Sequence, residues 1–239
     1  MKLLGIANAR ILAWVELTEL NPRGKVFYPE LTQELVQRYN FQKFPQKIEE
    51  FDESKGIEFL MGKSGDIVIQ KFSLWPNLLV VETRSSTTDS RAVVEEMLIW
   101  GKEKFGLAYR PEMIKWAYVS ELIFETDFPL IRACSDPLFR LAEKTGKATS
   151  EIWKEDLSYV PIVIAAGHDP IKRNFTIAAF QINYLREHPY SENKYYSQAP
   201  LPTDVHIKFL EEFEADVLAN ISAEQIKSIP TVQAKLIQE

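Results

Sequence analysis

The sequence predicts an α+β protein in which two β-α-β-β-β-α halves form a curved, largely antiparallel sheet with helices mainly on one face. Three observations predict this fold. Residues 9–107 and 114–220 contain the same succession of strand-like and helix-like patterns. The segment AWVEL in the first half is similar to AYVSEL in the second. A Thr-Asp pair also starts the last helix of each half, at Thr88 and at Thr203.

In the first half, a β-rich run over residues 9–20 ends at an Asn-Pro-Arg-Gly turn. A helix follows, because Pro29 suits a first helical turn. Apolar residues then recur every four positions, at Leu31, Leu35 and Tyr39. The next three β-like runs are IEFLMG, DIVIQKFSL and LLVVETR, with turn-forming residues between them. Gly106 ends the second helix, whose apolar face carries Val93, Met97, Trp100 and Phe105.

The second half follows the same order, starting with the strand KWAYVSELIFE. A short helix, SDPLFRLAEKTGK, comes next, with Asp136 as the expected N-cap and Pro137 in its first turn. Three extended runs follow, namely YVPIVIAAG, NFTIAAFQINYL and NKYYSQAPL. The closing helix has apolar residues at steps of four, at Val205, Phe209, Phe213 and Val217. The predicted domains are therefore 1–107, 114–220 and a helical tail at 221–239.

This order of elements resembles that of saddle-shaped, pseudo-symmetric folds of the TATA-binding-protein type. The resemblance lies in the element order alone, because no sequence motif of this chain carries it. It implies no activity. It also leaves open whether the two halves pair edge to edge into one sheet or pack as separate α+β units.

The composition excludes several kinds of protein. The chain has 239 residues, of which 46% are hydrophobic, and this is enough for a sizeable core. A net charge of −6 argues against a broad nucleic-acid-coating surface. Cys134 is the only cysteine, so a disulfide framework within the chain and a Cys-rich zinc site are excluded, and we expect a small buried thiol. Since no apolar run reaches the roughly 18–20 residues of a membrane span, we expect a cytoplasmic protein without membrane contact.

A Gly-Lys-Ser triplet at residues 62–64 is similar to the end of a phosphate-binding loop. That motif has four residues between its glycines, whereas five apolar strand-forming residues separate Gly56 from Gly62. A phosphate loop also leads into a helix, and this chain continues from Gly65 into the strand-like run IVIQKF. We therefore expect a hairpin tip with a positive φ at Gly65, and no bound nucleotide or other cofactor.

The hydroxyl-rich segment SSTTDS lies at residues 85–90, where a strand meets a helix. Such positions bind anions in many α/β enzymes, but a helix start needs an N-cap whatever the function. The segment has no Gly-rich element and no Gly-x-Ser-x-Gly elbow. Capping by Thr87, Thr88 or Asp89 is therefore the favoured interpretation.

Histidine-based chemistry has few candidate residues. His168 and Asp169 follow an apolar run and so lie at a strand end, although His-Asp-Pro is equally a turn sequence. His206 falls in the first turn of the last helix. A hydrolase or transferase that uses His168 and Asp169, with His206 as a further candidate, is one alternative. Histidine spacings typical of helix-borne metal sites are absent from the sequence, so no metal is expected.

The segment 186–204 is unusual because it contains three prolines and three tyrosines but few aliphatic residues. A polar, tyrosine-rich loop offers rigid contact area to a partner, and the alternative is a long connection whose tyrosines pack on the body. An extended backbone points the adjacent Tyr195 and Tyr196 to opposite faces, so one is anchored and the other contacts a partner. The candidate binding residues are Tyr190, Glu192, Asn193, Lys194, Tyr195, Tyr196 and Gln198.

The sequence thus favours a non-catalytic binding or assembly subunit whose partner is another protein or a second copy of the chain. A nucleic-acid-binding saddle is the second hypothesis. It requires basic residues gathered on one sheet face, and those available are Lys63, Lys71, Arg84, Lys172, Arg173, Arg186 and Lys194. The hydrolase or transferase is the third hypothesis.

Overall fold

A computed structural model describes residues 1–134, 136–169, 171 and 177–220, in which it contains eight strands and six α-helices. The strands are β1 (Lys2–Trp14), β2 (Ile57–Ser64), β3 (Ile67–Trp75), β4 (Leu78–Thr83), β5 (Lys115–Glu125), β6 (Val163–Ala166), β7 (Phe180–Tyr184) and β8 (Lys194–Ala199). The helices are α1 (Leu17–Leu20), α2 (Tyr28–Tyr39), α3 (Thr87–Phe105), α4 (Leu130–Ala133), α5 (Asp136–Trp153) and α6 (Thr203–Asn220). The predicted tail at 221–239, together with Lys172 and Arg173, lies outside the described residues.

The strands form one open antiparallel sheet in the order β2-β3-β4-β1-β5-β8-β7-β6. The predicted α+β class is confirmed, and the sheet is single. The element order in each half is the predicted one with an additional four-residue helix, α1 in the first half and α4 in the second. The equivalence of the two halves beyond this shared order stays a prediction.

Both ends of the first strand differ from the sequence prediction. The first strand begins at Lys2 and ends at Trp14, whereas the apolar pattern predicted a strand over 9–20. The strand ends earlier than predicted because the backbone N–H groups of Val15 and Leu17 donate to the carbonyls of Asn77 and Pro76. Helix α1 then begins at Leu17. The start differs because β1 also lies beside β5, where the Lys2 ammonium pairs with the Glu125 carboxylate at 2.7 Å.

The chain forms two compact units. The N-terminal unit comprises residues 6–121 and 199–204, and the C-terminal unit comprises the described residues among 1–5, 122–198 and 205–220. Two of the four boundaries fall inside the long strands β1 and β5, and the other two fall inside β8 and α6, so each of these elements contributes residues to both units.

In the N-terminal unit, α2 and α3 pack on one face of the sheet. Alternate strand residues supply that face, and an aromatic cluster of Phe41, Phe59 and Phe72 lies in it, with ring centroids 5.3–6.4 Å apart. Tyr39, at the end of α2, is buried and its hydroxyl bonds the Glu96 carboxylate. Burial, followed by the effect of Glu96, raises the pKa of Tyr39, so this hydroxyl stays protonated.

The expected hairpin tip is confirmed. Ser64 pairs with Ile67 across a two-residue turn in which Gly65 has φ +55°, and Lys63 lies in the strand opposite Val68. At Gly56 a side chain is disfavoured both by the backbone conformation and by a close neighbour. The φ of Gly56 is +79°, and a Cβ there would lie 2.6 Å from the Trp75 ring. Both glycines are therefore explained by backbone geometry rather than by phosphate binding.

Alanine substitutions at Gly65 and Gly56 separate the cost of a positive φ from the cost of a steric clash. Gly65→Ala adds only left-handed strain, since nothing lies within 4 Å, and should lower the free energy of unfolding by about 1 kcal/mol. Gly56→Ala adds the clash with Trp75 and should lower it by about 2–4 kcal/mol. Urea unfolding of the two variants measures the difference, and equal losses would contradict the role assigned to Trp75.

The start of α3 uses a different cap from the one expected. The N-cap is Ser86, whose Oγ accepts the Asp89 N–H at 3.0 Å, so the assignment of capping to Thr87, Thr88 or Asp89 is wrong. Thr87 instead makes a reciprocal exchange with Thr203 at the start of α6. The Thr87 N–H donates to Thr203 Oγ1 at 3.0 Å, and the Thr203 N–H donates to Thr87 Oγ1 at 2.9 Å. Both threonines are buried, so each hydroxyl satisfies a helix-start donor that water does not reach.

Ser90 extends this cluster of buried hydroxyls. Its Oγ donates to the Ala9 carbonyl at 2.7 Å and lies 2.9 Å from Thr83 Oγ1. The hydroxyls of Ser86, Thr87 and Ser90 thus bond backbone groups, as the structural interpretation of this segment predicted.

Removing one hydroxyl tests the exchange. Thr87→Val should lower the free energy of unfolding by about 1–3 kcal/mol, because the buried Thr203 N–H loses its acceptor while side-chain volume is kept. Thr88→Val is the matched control, since Thr88 is exposed and the change should stay within about 0.5 kcal/mol. Similar losses in both variants, measured by urea unfolding, would argue against the exchange.

Candidate binding groove in the C-terminal unit

Strands β7 and β8 place four polar or aromatic side chains on one face. Their register pairs Gln181 with Gln198 and Asn183 with Tyr196. The alternate residues of β8 are buried, which puts the pair Ile182 and Ser197 on the opposite face. The alternation visible in FQINY and KYYSQA therefore produces one buried face and one partly exposed face.

Tyr195 is the anchored member of the adjacent tyrosines. It is 0% exposed, and its hydroxyl oxygen accepts the Leu130 N–H at 2.9 Å at the start of α4. Its ring lies 5.4 Å from that of Phe124 and 5.1 Å from that of Tyr184. Burial raises the pKa of Tyr195, so the hydroxyl stays neutral.

The segment between β7 and β8 is a tight, internally bonded turn. Tyr190 stacks on Tyr184 at 4.3 Å between ring centroids, and a 3₁₀ turn runs over Tyr190–Glu192. Asn193 follows with φ +49°, a left-handed conformation that asparagine tolerates better than most residues. It is 5% exposed, and its carbonyl accepts the Thr126 N–H at 3.2 Å.

An exposed ion pair braces the same turn. The Glu192 carboxylate accepts from Lys194 Nζ at 2.7 Å and lies 2.9 Å from His188 Nδ1. These neighbours, Lys194 foremost, lower the pKa of Glu192. The carboxylate therefore stays ionised at neutral pH.

The exposed face and the turn together enclose a groove of about 1030 Å³. This volume is at the upper end of the range for sites that bind small molecules. Its lining mixes aromatic, amide and charged groups, including Gln181, Asn183, Arg186, His188, Tyr190 and Tyr196. Such a mixture provides contact area together with hydrogen-bond donors and acceptors.

The predicted binding residues fall into three groups. Tyr190 and Tyr196 line the groove, and Gln198 lies on the same face, with its Oε1 3.5 Å from the Tyr196 hydroxyl. Glu192 and Lys194 brace the turn. Asn193 and Tyr195 are buried and support the others. Strand β8 takes up six of the 19 residues and α6 begins at Thr203, so the segment 186–204 is a loop only before Lys194 and between Ala199 and Thr203.

The sequence interpretation did not include Gln181, Asn183 or His188 among the site residues. The sequence does place the two amides on one face of a strand, because they alternate with Phe180, Ile182 and Tyr184. Their proximity to Tyr196 depends on the register between β7 and β8, which a single sequence does not give.

The histidine candidates lie in different environments. His168 is exposed, and Asp169 Oδ1 accepts the Ile171 N–H at 3.0 Å, which is the turn chemistry considered for this segment. His206 is 0% exposed, bonds Ser197 Oγ at 2.8 Å and meets the Phe180 ring edge-on. Burial lowers the pKa of His206 to about 4, so it is neutral at pH 7 and has no exposed surface for a substrate.

The structure also bears on the expectations for Cys134, for metal sites and for membrane-spanning helices. Cys134 is exposed, so the expectation of a buried thiol is wrong, and its Sγ donates to the Leu130 carbonyl at 3.2 Å. In the part of the chain that the structure describes, no group of three His, Cys, Asp or Glu side chains is placed to hold a metal ion. Within the same residues, no helix is long and apolar enough to cross a membrane.

Comparison with known proteins adds no assignment. No protein-family model matches the chain, and no curated protein matches it significantly.

The burial of His206 predicts a pH dependence of stability. Its pKa is lower in the folded protein, about 4, than the ordinary value of 6.5, so its contribution is fully present above pH 6.5 and is lost as the pH falls toward 4. The difference corresponds to about 3 kcal/mol. His206→Gln should flatten the fall in unfolding free energy between pH 6.5 and 4, measured by urea unfolding, whereas the exposed His168→Gln should leave it unchanged. An equally steep fall in His206→Gln would refute the assignment.

Proposed function

We propose that the protein is a non-catalytic binding subunit that recognises a segment of a partner protein in the groove between Tyr190 and Tyr196. The observation that carries this proposal is that the tyrosine-rich segment 186–204, which the sequence favours as a binding surface, borders a groove of about 1030 Å³. Contacts within the unit fix the groove residues, so the lining needs little ordering when a partner binds.

The supports of the groove favour a preformed site. Tyr195 is fixed by Leu130, Tyr190 is stacked on Tyr184, and Glu192 holds Lys194 and His188. The lining includes tyrosine and arginine, which are enriched at protein interfaces. A groove of this size accommodates a few residues of an extended chain.

A second surface of the same unit supports an assembly role. Helix α5 exposes apolar side chains along its length, including Leu141 at 59%, Ile152 at 76% and Trp153 at 67%. Exposed apolar patches of this kind mark contact surfaces in many proteins.

The nucleic-acid hypothesis has weaker support. Of the cations that it requires, Lys71 pairs with Glu58 and Lys194 pairs with Glu192. Arg10, on the sheet face away from α2 and α3, pairs with Glu82 at 2.9 Å. These carboxylates offset the positive charge that phosphate binding requires, in a chain with a net charge of −6.

A paired tyrosine experiment tests the proposed function. Tyr196→Ala should fold normally and weaken the complex by about 1–2 kcal/mol or more, as expected for an interface anchor. Tyr195→Ala should instead lower the unfolding free energy by about 3–5 kcal/mol, because it leaves a cavity and orphans the Leu130 N–H. The measurements are urea unfolding and quantitative affinity purification from the native cell.

The same purification distinguishes the hypotheses. Recovery of a protein by the wild type but not by Tyr196→Ala supports the groove. Recovery of salt-sensitive nucleic acid would favour the saddle hypothesis. An activity lost in His168→Ala would favour the hydrolase or transferase. Full partner binding by Tyr196→Ala would show that the groove is not the site.

A further inference from the structure

An apolar pocket of about 350 Å³ opens into the core of the N-terminal unit. Strands β3 and β4 and helix α3 provide one part of its wall, and α1, the loop after it and α2 provide the rest. Several lining residues are core residues only 3–7% exposed, among them Leu35, Phe72 and Met97. The pocket therefore enters the core rather than lying on the surface.

The lining decides the charge of an occupant. Among the lining residues that the structure describes there is no Asp, Glu, Lys, Arg or His. The polar side-chain groups of the lining are those of Thr18, Asn21 and Tyr28 and the indole N–H of Trp100, all uncharged and on residues that are exposed or half-buried. An ionised group would lose its hydration here without gaining a charged partner, so an occupant is uncharged.

The volume decides the size of an occupant. Protein interiors are close-packed, and apolar cavities stay dry and accept apolar molecules, with roughly 150 Å³ sufficing for benzene. A pocket of about 350 Å³ is too small for a helix of a partner and suits a molecule of two or three rings.

A short built turn borders the opening. The Gly24 N–H donates to the Asn21 carbonyl at 2.9 Å, and Asn21 Oδ1 accepts the Lys25 N–H at 3.0 Å. Val26, the next residue, lines the pocket, whereas Phe27 is 65% exposed and does not. The turn thus sets Val26 at the entrance.

We propose that this pocket binds an uncharged, apolar small molecule of two or three rings. Binding occurs in the N-terminal unit and is separate from the proposed partner groove. The ligand completes a core that is otherwise open at this point.

The test uses N-phenyl-1-naphthylamine, a neutral three-ring fluorescent probe, with the full chain. Its fluorescence should rise saturably with protein. Val26→Trp should weaken its binding by about tenfold or more by filling the entrance, and the adjacent Phe27→Trp should change it less than about twofold. Anilinonaphthalene-8-sulfonate has the same rings and a sulfonate, and should bind about tenfold more weakly.

A second measurement does not require Val26→Trp to fold. Trp100 lines the pocket, whereas Trp14 does not, so energy transfer from tryptophan to the probe should drop in Trp100→Phe and persist in Trp14→Phe. The proposed binding is refuted if the probe does not bind, or if energy transfer to it is unchanged in Trp100→Phe. It is also refuted if a folded Val26→Trp variant binds the probe with unchanged affinity. Equal or tighter binding of the sulfonate overturns the claim that the ligand is uncharged.

Discussion

The arrangement of the N-terminal unit depends on a constraint that every buried helix start must meet, which is that its free N–H groups need acceptors. At α3 and α6 the solution is mutual, since Thr87 and Thr203 each accept from the other's backbone. Ser90 adds a bond from α3 to the Ala9 carbonyl of β1. These bonds fix the start of α3 against the sheet, and the apolar residues that follow along the helix then reach the core. The constraint also accounts for the hydroxyls of Ser86 and Thr87, each of which accepts a backbone N–H at a helix start.

The sequence predicted what depends on local pattern. The α+β class, the order of strands and long helices, the hairpin at Gly65 and the opposite directions of Tyr195 and Tyr196 all follow from periodicity or turn chemistry. The additional helices α1 and α4 were missed because four residues give too little periodicity. The capping role was assigned to the wrong hydroxyls, because the choice between Ser86 and Thr87 depends on Thr203, which is 116 residues away. The sequence indicated the candidate segment 186–204 but not Gln181 and Asn183, because the position of these amides beside Gln198 and Tyr196 depends on strand register.

The two faces of strands β7 and β8 have different roles in the C-terminal unit. One face is committed to packing, through Tyr195, Ser197 and His206. The other carries Asn183 and Tyr196 into the groove. Because successive residues alternate between these faces, each groove residue has a buried neighbour that fixes its backbone. This arrangement favours a rigid recognition surface over a mobile loop, which is why the proposed function is binding through a preformed site.

The division of β1 between the two units has a consequence for synthesis. Residues 1–5 belong to the C-terminal unit, most of which comes from residues 122–198. On the ribosome these first residues emerge long before the chain with which they pack, while the rest of β1 already has its partners in 6–121. Residues 6–121 of the N-terminal unit can therefore pair early, whereas Thr203, which belongs to the same unit, emerges late. During that interval the first strand keeps an unpaired end, and such strand ends are prone to aggregate. Lys2 lies at this end of the strand, and charged side chains at strand edges disfavour pairing with other chains.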